Sequence, residues 1–206
     1  MKLQPVVGDE TELDTRDRLV RAAIEVFLEK GYGGTRVQDI AKRAGYTAGA
    51  LYVHFPSRTA LLGEAIMLEG SRLIAEIVDG FGQITPGDGA VSRTLAEFSV
   101  AETGPIDTLV LEALALAARD PEAREMLAET LTHLEEALVA QIQLGVKLGV
   151  VDPALDIDAI RTFFSAWILG LVVHRAVGLR RADLDPMYEL CARLTEGLTP
   201  RSAEQG

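Results

Sequence analysis

Tyr52, His54 and Arg58 follow closely on Thr47, Gln38, Arg36 and Thr35 in the stretch TRVQDIAKRAGYTAGALYVHFPSR, residues 35–58. Their side chains are hydroxyl, phenol, imidazole, amide and guanidinium groups. They donate hydrogen bonds or carry positive charge, and the only carboxylate among them is Asp39. Such a set has no nucleophile beside a base and no paired carboxylates. It is suited to holding the oxygens of a phosphate backbone rather than to breaking bonds.

Local pattern supplies the elements that would position these groups. Thr35, with Gln38 three residues on, reads as a capping box. Val37, Ile40, Ala41 and Ala44 then recur at i, i+3, i+4 and i+7, the apolar face of a short helix. Gly45 suits the left-handed residue that ends it. Thr47 can cap a second helix that buries Leu51 and Phe55, and Pro56 breaks it. Two short helices joined by a glycine turn form a helix-turn-helix, which implies binding to duplex DNA.

The whole chain, 206 residues with a net charge of −11, looks wrong for that partner. The charge is unevenly placed. Residues 15–62 hold eight basic and four acidic side chains, a net of +4, which leaves −15 on the remainder. A basic module on an acidic body binds phosphate through the module and holds the body away; plain solubility explains an acidic body equally well. The longest uninterrupted apolar run, Ala166 to Val173, falls short of the roughly 20 residues of a membrane span. The N-terminus shows no signal-peptide pattern and the single Cys191 builds no disulfide framework, so a cytoplasmic protein without membrane contact is expected.

The expected fold is all-α with about nine helices. Residues 1–13 read as a disordered arm, 14–60 as a three-helix DNA-binding domain with Phe27, Ile40, Leu51 and Phe55 as its core, and 61–206 as a larger helical body. A fourth helix is expected from Ser57 to about Val78, joining the two. After a loop at Pro86-Gly87-Asp88-Gly89, further helices fall at about 90–103, 106–118, 121–144, 156–177 and 186–197. Asp120-Pro121 and Asp185-Pro186 each read as a cap followed by proline at the first helical position.

A first helix ending FLEKGY, followed by TRVQDIAKRAGYTAGALYVHFPSRTALL, resembles the TetR family of bacterial transcriptional regulators. Leu51, Tyr52, His54, Phe55 and the triplet Pro56-Ser57-Arg58 are the most specific part. Past residue 70 the likeness is one of architecture. The resemblance implies a homodimer with an N-terminal DNA-binding domain and a C-terminal ligand-binding domain. It also implies that the last two long helices pair into a four-helix bundle, and that DNA is released when a small molecule binds.

On that footing Thr47–Phe55 is the recognition helix. Thr47, Tyr52 and His54 are expected to donate to phosphates, Thr35 and Arg36 to hold the opposite backbone, and Arg58 to add a cation where the family usually has lysine. Tyr46, Ala48, Gly49 and Ala50 would face the groove, by methyl contacts and close backbone approach. Gln38 or Arg36 could reach a base edge. Ala48 and Val53 depart from the family's usual polar and aromatic residues. Taken singly, Tyr52 reads as a half-buried core tyrosine, His54 as a surface histidine and Arg58 as a solvated charge. Their spacing with two capped helices is what makes them a binding surface.

In the body, Leu109, Leu114, Met126, His133, Phe163, Trp167 and His174 are candidates to line an effector pocket, or simply to fill the core. Phe164, Ile168, Leu171 and Val172, on a helix apolar nearly all round, and Leu190 and Leu194 on the next are candidates for a dimer seam. The low-aromatic, apolar body hints at a lipophilic effector. No catalytic motif, metal-ligand spacing or cofactor signature is present, so neither an enzyme nor a metalloprotein is expected. The competing reading is a helical small-molecule-binding or interaction protein without DNA binding.

Overall fold

The structure, a computed structural model, describes residues 8–81 and 89–200. These residues form nine helices and no strand: α1 (Gly8–Gly34), α2 (Val37–Ala44), α3 (Ala48–His54), α4 (Arg58–Phe81), α5 (Ala90–Val100), α6 (Pro105–Ala117), α7 (Pro121–Lys147), α8 (Ile157–Ala176) and α9 (Leu184–Glu196). Residues 1–7 of the expected arm and residues 82–88, which include 86–88 of the expected loop, lie outside the described residues.

Three helices start elsewhere than expected, and α4, α5 and α7 end at Phe81, Val100 and Lys147 where about 78, 103 and 144 are expected. α1 begins at Gly8 rather than near Asp14, and runs past a break at Gly31 (φ 67°) to Gly34. α2 is capped at Arg36, not Thr35: the Asp39 carboxylate accepts from the Arg36 N–H at 3.3 Å. This is one half of a capping box, since the Arg36 side chain has no acceptor to complete it. α9 starts at Leu184, which puts Pro186 at its third residue, still within the turn whose N–H groups have no intrahelical partner. The Asp120-Pro121 start stands as read, with Asp120 Oδ1 accepting from the Glu122 N–H at 3.0 Å.

The chain divides into two compact units, but not at residue 60. The first holds the described residues through Glu69 together with Thr108–Thr130; the second holds Gly70–Asp107 and the described residues from Leu131 on. In the first, α1 packs on α2 and α2 on α3. Phe27, Ile40, Leu51 and Phe55 are at most 2% exposed, as the periodicity predicts, and Leu61, Leu62 and Ile66 of α4 and Leu109 of α6 join them in the core. Each such side chain contributes roughly 1.5–3 kcal/mol of burial. A Cβ on Gly63 would meet Met126 Sδ at 2.8 Å and Thr130 Oγ1 at 3.1 Å, so a larger residue on α4 there would have to displace the Met126 side chain of α7.

In the second unit α5 packs on α9. The buried face of α5 carries Ser92, Thr94 and Ser99 beside Ala96 and Phe98, and its hydroxyls find partners: Ser92 with Thr195 at 2.7 Å, Ser99 with the Leu95 carbonyl at 2.7 Å. Burial pushes the Cys191 thiol upward, and a hydrogen bond with Ser99 partly offsets it. α8 is held by an ion pair that the sequence did not disclose. Arg175 donates through Nε and Nη2 to the two carboxylate oxygens of Asp107, at 3.0 and 2.7 Å, with both side chains at most 3% exposed. By length and composition α8 is apolar enough to cross a membrane, which its eight-residue uninterrupted run did not suggest.

Candidate nucleic-acid interface

The turn between α2 and α3 is built by backbone hydrogen bonds. Gly45 takes φ 82°, its N–H donates to the Lys42 carbonyl, and the Tyr46 N–H donates to the Ala41 carbonyl at 2.8 Å. This is the Schellman arrangement, which satisfies carbonyls left open at the end of α2. α3 follows at once, with Thr47 Oγ1 accepting from the Ala50 N–H at 3.2 Å. Leu51 and Phe55 anchor its inner side, and the Arg16 guanidinium lies 5.1 Å from the centre of the Phe55 ring.

Its outer side is open. Tyr52 is 55% and Val53 78% exposed, Thr47 and Gly49 are exposed, and Ala48, Ala50 and His54 are half-buried. Gln38 and Arg36 are exposed at the start of the preceding helix, and Lys42 in its last turn. The expected set therefore clusters around one short helix, with three corrections. Thr35 is fully buried, its hydroxyl donating to the Gly31 carbonyl at 2.7 Å, so that side chain has no phosphate to hold. Arg58 lies 4.1 Å from the centre of the Tyr32 ring and donates to the Thr35 carbonyl; it braces the unit internally rather than standing free as a cation. Tyr46 is half-buried and its phenol meets Thr15 Oγ1 at 3.2 Å, which ties the ring back to α1.

The carboxylates of residues 15–62 are all engaged. Asp17 pairs with Arg21, Glu25 and Glu29 with Arg43, and Asp39 with Lys30 at 3.0 Å. Arg43 grips its two partners at 2.8 and 2.7 Å; hydrogen bonding to Arg43 holds Glu29 below its ordinary pKa, and the Lys30 and Arg36 N–H hydrogen bonds do the same for Asp39. No ion pair to a carboxylate is formed by the Arg36 or Lys42 side chain among the described residues, although the Arg36 charge also helps to lower Asp39. Lys42 and Val53 were not assigned roles from the sequence; Lys42 lies one turn beyond Gln38 on the outer side of α2, a position periodicity alone could have flagged.

The pocket and seam candidates fare differently. Leu109, Leu114 and Met126 belong to the first unit and His133, Phe163, Trp167 and His174 to the second. Leu109 is fully buried in the core, Met126 fills the space beside Gly63, and Leu114 and His133 are exposed. Phe163, 62% exposed, stands on the surface of its unit instead of lining a cavity. Half-buried Trp167 is packed edge-on against Phe98 and Phe164, at 5.6 and 6.0 Å between ring centres. A cleft of about 370 Å³ in the second unit is lined by other residues, Glu102, Thr103, Arg175, Gly178, Leu179 and Arg181. Of the seam candidates, Val172 is buried in its own unit, Phe164, Ile168 and Leu171 are half-buried, and Leu190 and Leu194 are more than half exposed.

A glycine turn between two capped helices, an outward second helix and adjoining unpaired cations define a helix-turn-helix protein. Residues 19–65 match the profile of bacterial regulatory proteins of the tetR family, and residues 100–200 that of the C-terminal region of BetI-type transcriptional repressors. The chain is 27% identical to the HTH-type transcriptional regulator UidR of Escherichia coli K12, over 82% of this chain and 84% of that one. Among solved structures it resembles Salmonella enterica GusR (26% identity, TM-score 0.64, covering 95% and 99% of the two chains). It also resembles a regulator from Saccharomonospora viridis in complex with choline (23%, TM-score 0.62, 92% and 100%). The chain belongs to the TetR family and is a TetR-type helix-turn-helix transcriptional regulator.

Proposed function

We propose that the protein is a dimeric repressor that binds a pseudo-palindromic operator through α3 of each subunit and leaves it when a small molecule occupies the second unit. The observation that carries the dimer is a stripe along α8 and its C-cap residue: Phe163, Ala166, Gly170, Val173 and Val177 are all exposed and follow one another at alternating spacings of three and four. That is the repeat of a helix that packs against another helix. Gly170 has nothing within 4 Å of where a Cβ would stand, so it leaves room for close approach. Exposed Leu190 and Leu194 extend the apolar surface onto α9. A symmetric partner would cover the stripe, accounts for a long apolar helix without a membrane, and would present two copies of α3 to successive turns of one DNA face. These residues support a seam through Phe163, Gly170 and Val173, the chain neighbours of the expected Phe164, Leu171 and Val172, and leave out Ile168.

Relatives that regulate transcription support a regulatory rather than enzymatic role, in the cytoplasm where the DNA is. The choline held by the Saccharomonospora viridis neighbour supports a small-molecule effector. The polar cleft beside Arg175 and Arg181 gives no support to a lipophilic one. The test is mass and DNA stoichiometry. Light scattering is expected to give twice the chain mass and anisotropy two chains per operator duplex. Phe163→Glu with Leu194→Glu is expected to leave folded protomers that bind DNA far more weakly. A wild-type protomer that stays single at operator-binding concentrations would overturn the proposal.

A further inference from the structure

α3 contains a glycine that nothing inside the protein requires. Gly49 is helical, without positive φ, and a Cβ built on it would meet only Thr47 Oγ1, at an ordinary 3.8 Å. Glycine is the poorest helix former short of proline, so alanine would fit and would stabilise a helix this short. The chain gives up that stability at one of its most outward positions, and the reason must lie outside the chain.

Val53 stands one turn further on. At 100° per residue it is about 40° from Gly49 around the helix and about 160° from the buried Leu51, so it points almost directly away from the core. A β-branched apolar side chain 78% in water, flanked by Gly49 and Ala50, makes a seam without a hydrogen-bonding side chain. The major-groove edges of the bases carry hydrogen-bonding groups and one apolar group, the C5-methyl of thymine.

Resting on the reading of α3 as the groove-entering helix, we propose that Gly49 and Val53 determine sequence specificity. Gly49 lets the groove come close to the helix backbone, and Val53 packs on a thymine methyl in each half-site.

The test uses the full chain to select duplex sites from a random library. The enriched site is then resynthesised with each thymine replaced in turn by deoxyuridine, which removes only the methyl. Affinities are read by fluorescence anisotropy at one fixed salt concentration. At one thymine per half-site deoxyuridine is expected to weaken wild-type binding about fourfold, the scale of one buried methyl group. Val53→Ala is expected to bind the two duplexes alike. Gly49→Ala is expected to raise the thermal midpoint while weakening the selected site by several-fold. Both substitutions lie away from the core, and circular dichroism melts verify the fold.

Indifference of the wild type to deoxyuridine at every position would overturn the proposal, as would a Val53→Ala variant that keeps the full preference. A Gly49→Ala variant that binds as tightly as wild type would remove the role of Gly49. Failure of the chain to bind any duplex at low salt would instead overturn the groove-entering role of α3, and that result is distinct because all sequences then behave alike.

Discussion

Removing Arg175 should cost the protein more than removing Arg175 and Asp107 together. Asp107, 2% exposed, accepts two hydrogen bonds from Arg175 and a third, at 2.8 Å, from the Gly104 N–H. The guanidinium also donates to the Phe98 carbonyl at 3.3 Å and lies 5.0 Å from the centre of the Phe98 ring. Arg175→Met keeps most of the volume but strands a carboxylate away from water with one N–H for company, a situation that costs about 3–5 kcal/mol. Asp107→Leu strands the arginine in the same way. The double variant buries no charge and leaves the Gly104 N–H and Phe98 carbonyl short of a partner, roughly 1–3 kcal/mol each before relaxation, whereas Arg175→Met strands the same carbonyl on top of the charge. The pair should therefore be less costly to replace than to break. Urea unfolding of the four proteins at one protomer concentration measures this, since association would otherwise shift the midpoints. The single variant should also melt about 6–20 °C lower, at roughly 2–4 °C per kcal/mol for a chain of this size. Single variants within about 1 kcal/mol of wild type, or a double variant as unstable as the two singles summed, would refute the account of the pair as a charge that exists only through its partner.

Two further outcomes follow from the ion pairs of the first unit. Glu29 is held below its ordinary value of 4.5 by Arg43, so its contribution to stability is present above that value and is lost as pH falls through the lower, folded one. The stability difference between wild type and Glu29→Gln should be flat near neutrality and close in acid, a small effect at an exposed pair, and a difference that widens in acid would contradict it. Arg36→Gln should lower the salt slope of operator binding by about one phosphate's worth, near 0.9 in log–log units, whereas Arg43→Gln should leave the slope nearly unchanged because Glu25 and Glu29 already occupy that cation; equal changes of slope in anisotropy titrations at varied salt would contradict the difference.

What the sequence showed was whatever depends on neighbours in the chain. Helical periodicity located all nine helices, Gly45 and Thr47 took their expected cap roles, and Phe27, Ile40, Leu51 and Phe55 form the expected core. What it hid depends on groups far apart or on local competition. Thr35 has the right spacing to cap α2, but the left-handed break at Gly31 offers a carbonyl that its hydroxyl takes instead, and the cap passes to Arg36. Asp107 and Arg175 meet across 68 residues, beyond any local pattern. α8 is apolar nearly all round, so its composition names no inner face. The face is chosen by Arg175 on Asp107 and by Trp167 against Phe98, and the outward stripe consequently falls on Phe163 rather than Phe164.

The charge of −11 shows why a count over residues is a poor guide to binding. In residues 15–62 the four carboxylates are spent on Arg21, Arg43 and Lys30, pairs that stitch α1 to α2 or lie along α1 itself. They remain in the sum, yet three of the four charges are neutralised by a neighbouring cation, Glu25 and Glu29 sharing Arg43, and what is left has little reach at a Debye length of about 8 Å in physiological salt. Arg36 and Lys42, which count no more than the paired cations, are the ones a phosphate can meet without first breaking an ion pair. The −15 on the rest of the chain repels phosphate, which leaves residues 15–62 as the part of the chain whose charge favours DNA. An acidic protein with few unpaired cations at its reading helix gains little from non-specific contact, and the burden of affinity shifts to contacts that a particular sequence supplies.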